Sequence, residues 1–107
     1  MNDDRQTIHI EVDPELLDLV PGFLRNRQTD VEVLTRAVAE RDLETARVVG
    51  HRLRGAAGGY GFAALGTLGA RIEQAASQGC VEDIARVVAE MVDHLARLEI
   101  HVGRVEA

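Results

Sequence analysis

Val49-Gly50-His51-Arg52-Leu53-Arg54-Gly55-Ala56-Ala57-Gly58-Gly59-Tyr60-Gly61-Phe62 holds five of the chain's ten glycines and one of its four histidines. Apolar residues at Ala46, Val49, Leu53, Ala57 and Tyr60, with Leu43 before them, recur at helical spacing. Successive helical residues turn by about 100°, which puts His51 about 160° from both Val49 and Leu53. The histidine therefore stands opposite the core stripe, with Arg47 and Val48 below it and Arg54, Gly55 and Gly58 above. Each interior glycine costs a helix about 1 kcal/mol relative to alanine. A helix that carries Gly50, Gly55 and Gly58 needs bare backbone for something to approach. Two phosphate-loop readings fail. Gly59-Tyr60-Gly61-Phe62-Ala63-Ala64 fits a dinucleotide pattern but follows no strand, and no Gly-Lys-Ser/Thr completes a P-loop.

Around this segment the chain reads as a helical scaffold. With 107 residues it is expected to form one domain. The aromatic residues are Phe23, Tyr60 and Phe62, so the core is aliphatic, which suits helix-on-helix packing. Met1 to Gln6 reads as a disordered tail, and Ile8, Ile10 and Val12 alternate with polar residues as a short extended arm. Asp13-Pro14 is a helix start, with Val12 and Leu17 placed as a hydrophobic staple, and Pro21 keeps that first helix short. Pro21 opens the next helix, with Val20, Leu24, Val31, Leu34 and Val38 on its seam and Arg27 among them. Thr29-Asp30-Val31-Glu32 also reads as a capping box, so either one helix runs from 21 to about 40 or it breaks near 28. The continuous helix is preferred, because a break leaves two short, marginal pieces.

Asp42 caps the helix that carries His51. A further helix from Phe62 to Ser77 shows Leu65, Leu68, Ile72 and Ala75/Ala76 and ends at Gly79. The last, about Val81 to Val102, carries Ile84, Val88, Met91, Leu95, Leu98 and Val102. The expected fold is all-α: an antiparallel up-down four-helix bundle with a short extra N-terminal helix. Residues 1–12 form an arm, and 13–107 the bundle.

Charge and composition remove several functions. A net charge of -6 opposes a nucleic-acid footprint. All twelve basic residues are arginine, which reads as codon bias. Cys80 stands alone at an N-cap position, so no disulfide framework or cysteine-based zinc site is expected. No run approaches the roughly 18 apolar residues of a membrane span. The N-terminus does not resemble a signal peptide, so a cytoplasmic location is expected. The initiating Met and compact ends favour a free-standing protein. His94 and His101, with Glu90, lack a third convincing ligand and His9 reads as inert, so no metal site is expected.

His51-Arg52-Leu53-Arg54-Gly55, with Gly61 and the helix that follows, resembles the core motif His-x-Leu-Lys-Gly of the histidine-containing phosphotransfer (HPt) domain family. The resemblance extends from about Asp13 to about Val102. It implies a four-helix bundle whose exposed histidine accepts a phosphoryl group and passes it on, without ATP hydrolysis or enzymatic turnover. Histidine is the side chain that titrates nearest neutral pH, so a nucleophilic neutral form is available to it. By the resemblance, Nε2 of His51 carries the phosphoryl group and Arg54 stands where the family usually has lysine, beside the phosphoryl oxygens. Gly55 leaves room for the partner's aspartate, and Ala56 and Ala57 replace small polar residues. Glu73 falls at the family's Gln/Glu spacing and is expected to hold Nδ1, across a small-residue stripe at Gly66 and Gly69.

Arg47, Val48, Arg52 and Gly58 are expected at the partner surface. Partners would be a response-regulator receiver domain and a sensor or hybrid histidine kinase, with the protein itself monomeric. No acidic cluster in the sequence reads as a cation site, so no cofactor is expected on this chain and the magnesium would sit on the receiver. The competing expectation is a helical-bundle adaptor that binds a signalling partner without carrying phosphate.

Overall fold

Capping chemistry and proline place the helix boundaries. The computed structural model describes residues 6–57 and 62–102. β1 (Ile8–Val12) leads into a 3-10 helix at Pro14–Leu19. The Asp13 carboxylate accepts the Glu15 backbone N–H at 2.8 Å, and Pro14 occupies the first helical position. The helices are α1 (Val20–Glu40), α2 (Leu43–Ala57), α3 (Ala63–Ser77) and α4 (Val81–Arg97), followed by β2 (Leu98–Val102).

α1 runs unbroken through the doubtful stretch. Thr29 turns its hydroxyl back to the Arg25 carbonyl, 3.3 Å away, so it acts as an interior helix residue and not as a cap. Asp30 is also used differently: its carboxylate lies 2.9 Å from Nε of Arg27. Arg27 is buried on the seam, with its guanidinium 4.6 Å from the centre of the Phe23 ring. Phe23 in turn stacks on Phe62, ring centres 4.7 Å apart. α1 ends at Arg41, which takes a left-handed φ of 54°, and Asp42 starts α2 at once. The Asp42 carboxylate accepts the Thr45 backbone N–H at 3.1 Å and the Thr45 hydroxyl at 2.6 Å. Gly79, with φ of 74°, carries the chain from α3 towards α4.

The four helices pack in a ring: α1 on α2, α2 on α3, α3 on α4 and α4 on α1. Leu34, Val49, Leu53, Leu65, Ile72, Ile84 and Met91 fill its centre, and Val12 joins them from β1. α2 and α3 make the most extensive contact. Arg71 of α3 reaches Glu90 of α4 through two hydrogen bonds of 3.0 and 2.6 Å.

One boundary corrects the expectation. α4 stops at Arg97, and Leu98 turns extended (φ -68°, ψ 136°). Leu98-Glu99-Ile100-His101-Val102 alternates with period two, even though Leu95, Leu98 and Val102 also fit a helix. The tie is broken by a partner remote in sequence: β2 pairs in parallel with β1, Ile8 beside Leu98 through to Val12 beside Val102. Ile10, Leu98 and Ile100 thereby pack against the core. Val102 is 52% exposed and belongs to no helical seam.

Candidate functional site

α2 buries Val49 and Leu53 and turns His51 outwards, and the imidazole is 58% exposed. Among the described residues the ring is held from the Nδ1 side. Its Nδ1 lies 2.9 Å from Oε2 of Glu73 on α3. The Glu73 side chain is only 19% exposed and is fixed at its other oxygen by Arg54, whose Nη1 is 3.1 Å from Oε1. The three side chains thus form a chain from Arg54 through Glu73 to His51.

That chain sets the tautomer. A carboxylate opposite a guanidinium is an acceptor on both oxygens, so the 2.9 Å contact requires the proton on Nδ1. Nη2 of Arg54 also approaches Nδ1, at 3.4 Å, but two donors do not bond to each other. Nδ1–H therefore donates to Glu73, and among the described residues none bonds the Nε2 lone pair. What remains is an exposed nucleophilic nitrogen on a ring whose orientation is fixed from behind.

Two glycines allow this contact. A Cβ on Gly50 would lie 2.7 Å from the Glu73 backbone nitrogen, 2.8 Å from the Gly69 carbonyl oxygen and 3.0 Å from Cγ2 of Ile72. A Cβ on Gly69 would lie 2.7 Å from the Arg54 nitrogen and 2.9 Å from Cβ of Leu53. Such distances do not occur for real side chains, so the backbones of α2 and α3 meet only because both positions are glycine. Gly55 is the opposite case. A Cβ there would meet nothing within 4 Å among the described residues, so its bareness serves no contact with them.

The remaining sequence candidates separate. Val48 is 39% exposed on the His51 side of α2. Arg47 is bound to Glu44 of its own helix, at 2.7 and 3.1 Å. Arg52 is exposed, and its charge acts on Asp30 of α1: burial pushes the Asp30 carboxyl above its usual value, against the pull of Arg27 and then Arg52. Arg47 and Arg54 are therefore each paired with a carboxylate, and the basic patch is partly compensated. Gly58 lies outside the described residues, as do Gly59, Tyr60 and Gly61. Gly66 is partly buried on α3. Of the metal candidates set aside, Glu90 is taken by Arg71, and His94 and His101 fall on different elements, α4 and β2.

Sequence reasoning brought His51, Arg54 and Glu73 together but gave Gly50 no task at the site. The signal was present, since Gly50 directly precedes His51 on a helix that tolerates few glycines. Its counterpart Gly69 precedes Glu73 by one helical turn. Among the described residues no helix is long and apolar enough to cross a membrane.

A family model described as Hpt domain matches residues 18–100. Neither among curated proteins nor among solved structures does anything match the chain.

Proposed function

The chain belongs to the Hpt domain family, and from that premise we propose that it is a phosphorelay intermediate in which His51 carries the phosphoryl group. Hpt domains are phosphotransfer intermediates of two-component signalling, not classical enzymes, and they interact with kinases and response-regulator receivers. The finer reading is that His51 exchanges phosphate with a receiver aspartate. One observation carries it: an exposed imidazole whose Nδ1 is engaged by a half-hidden carboxylate at 2.9 Å, with no partner for Nε2 among the described residues. The ring of helix contacts and the two-residue connection at Arg41-Asp42 support an antiparallel up-down bundle as its frame. The arm of 1–12 and the bundle of 13–107 act in this reading as one protein.

In the transfer, the Nε2 lone pair attacks the phosphorus of an aspartyl phosphate. The N–P bond forms as the P–O bond to the aspartate breaks, and the carboxylate leaves in line. Positive charge grows on the ring, whose Nδ1 keeps its proton. Glu73 faces that proton and stabilises the charge electrostatically. Arg54 holds Glu73 through Nη1, and its other N–H donors are available to the phosphoryl oxygens. Gly55, open on its outer side, gives the partner's aspartate close access to the ring. Val48, Arg52, Arg47 and Gly58 would lie under the receiver. The magnesium that receiver chemistry uses would be held by the receiver, and the reading places the protein in the cytoplasm.

The competing reading, an adaptor that binds without transfer, is separated by one experiment. Incubation with a phosphorylated receiver is expected to leave an acid-labile, base-stable label on the wild type and none on His51→Gln. Stable binding of the receiver without any label on the wild type would favour the adaptor.

A further inference from the structure

β1 and β2 lie in parallel register, with His9 beside Glu99 and Glu11 beside His101. Alternation along the strands turns Ile8, Ile10, Leu98 and Ile100 inwards and leaves His9, Glu11, Glu99 and His101 exposed on the outer face. On that face, Nδ1 of His9 is 2.8 Å from Nε2 of His101, and the same Nε2 is 3.3 Å from Oε1 of Glu99. One ligand-type atom from each of the three residues lies within 4.8 Å of the others.

The two histidines meet nitrogen to nitrogen, so one must carry a proton and the other a lone pair. A cation in place of that proton would be bound by both lone pairs. Around a four-coordinate zinc ion with bonds of about 2.0–2.1 Å, neighbouring ligand atoms stand about 3.3 Å apart. The His101–Glu99 separation already matches this spacing, and the two imidazoles need to part by about half an ångström to reach it. Two imidazoles and a carboxylate suit zinc, cobalt or nickel, whereas magnesium and calcium favour oxygen alone. Glu11 adds a second negative charge to the same face.

We propose that His9, Glu99 and His101 form a surface site for a divalent transition-metal cation of the zinc type. The fourth position would be left to water. The ligands come from strands about ninety residues apart in sequence, on either side of the four helices. Binding therefore requires β1 and β2 to be paired, and it stabilises a two-stranded ribbon of a kind that is marginal by itself. The site shares no residue with His51, Arg54 and Glu73, so it stands or falls apart from the phosphotransfer reading.

The test uses the full chain without a histidine tag, stripped with a chelator and titrated with zinc by calorimetry. One ion per chain is expected, with a melting temperature that climbs as free zinc increases. Loss of an outer-shell partner already weakens metal sites by about 10–100-fold. Removal of a ligand in His9→Ala or His101→Ala is expected to weaken binding by at least about 100-fold on that scale. Glu99→Gln, which keeps the side chain's shape, is expected to weaken it as well. All three residues are exposed, so helicity by circular dichroism should be unchanged. His51→Gln and His94→Ala should bind zinc as the wild type does. The proposal is overturned if zinc shows no saturable one-to-one binding. Equal binding by wild type, His9→Ala and His101→Ala would overturn it too, as would loss of binding in His51→Gln.

Discussion

Gly50 and Gly69 face each other where α2 meets α3: a Cβ on either would lie 2.8 Å from the other's carbonyl oxygen. This reciprocal contact sets the distance between the two helices, and with it the reach from His51 to Glu73. Alanine at Gly50 or Gly69 gains about 1 kcal/mol of helix propensity. Forcing backbone apart opposes this by about 1–3 kcal/mol or more. A net loss of up to about 2 kcal/mol is expected for each, read as a melting temperature several degrees lower. Gly55→Ala meets nothing among the described residues and should be neutral or stabilising by up to about 1 kcal/mol. Equal behaviour of all three variants would remove the packing role assigned to Gly50 and Gly69.

Glu73 is expected to act through His51 and not on the phosphoryl group itself. Glu73→Ala leaves Nδ1 without its acceptor and Arg54 without its partner. Phosphotransfer should slow by on the order of tenfold, the range seen when outer partners of metal-bound histidines are removed. Glu73→Gln retains an acceptor for Nδ1–H and should recover part of that loss. The check is the transfer rate from a phosphorylated receiver, measured together with receiver affinity, which should hardly change. A large loss of affinity in Glu73→Gln would instead make this a docking residue.

Asp42 gives a pH signature to the start of α2. The Thr45 hydroxyl, and then the Thr45 backbone N–H, hold the Asp42 carboxyl below its usual value. A carboxyl lowered in the folded state stabilises above its unfolded pKa, and the contribution is lost as pH falls through the folded value. Thermal unfolding of Asp42→Ala should therefore show a lower midpoint than wild type at neutral pH. The gap should shrink as the solution is made strongly acidic. A gap that stayed constant with pH would mean that the cap stabilises without its charge.

The sequence made the helices legible wherever local chemistry decided them. Asp13, Asp42 and Gly79 mark boundaries by capping or by a left-handed backbone, and the seams of Leu34, Leu53, Ile72 and Met91 follow helical spacing. His51 opposite Val49 and Leu53 needed only the turn per residue. What stayed hidden depends on residues distant in the chain. Leu98 to Val102 satisfies two periods, and only pairing with Ile8 to Val12 chooses between them. For the same reason His9 looked inert: Glu99 and His101 stand beside it only once β1 and β2 have paired. Gly69 was legible as part of a stripe that lets the two helices approach, but its counterpart Gly50 emerged only when the backbones of α2 and α3 were seen to meet.

The proposed arrangement has Glu73 holding Nδ1 of His51 and Nε2 taking the phosphoryl group. It is tested most directly by phosphorus–nitrogen NMR on nitrogen-15 histidine-labelled protein phosphorylated by a receiver. The expected spectrum shows one phosphohistidine, bonded at Nε2 with Nδ1 still protonated, and no signal from His51→Gln. A phosphoryl group on Nδ1, on His9, His94 or His101, or on no histidine at all would contradict the account.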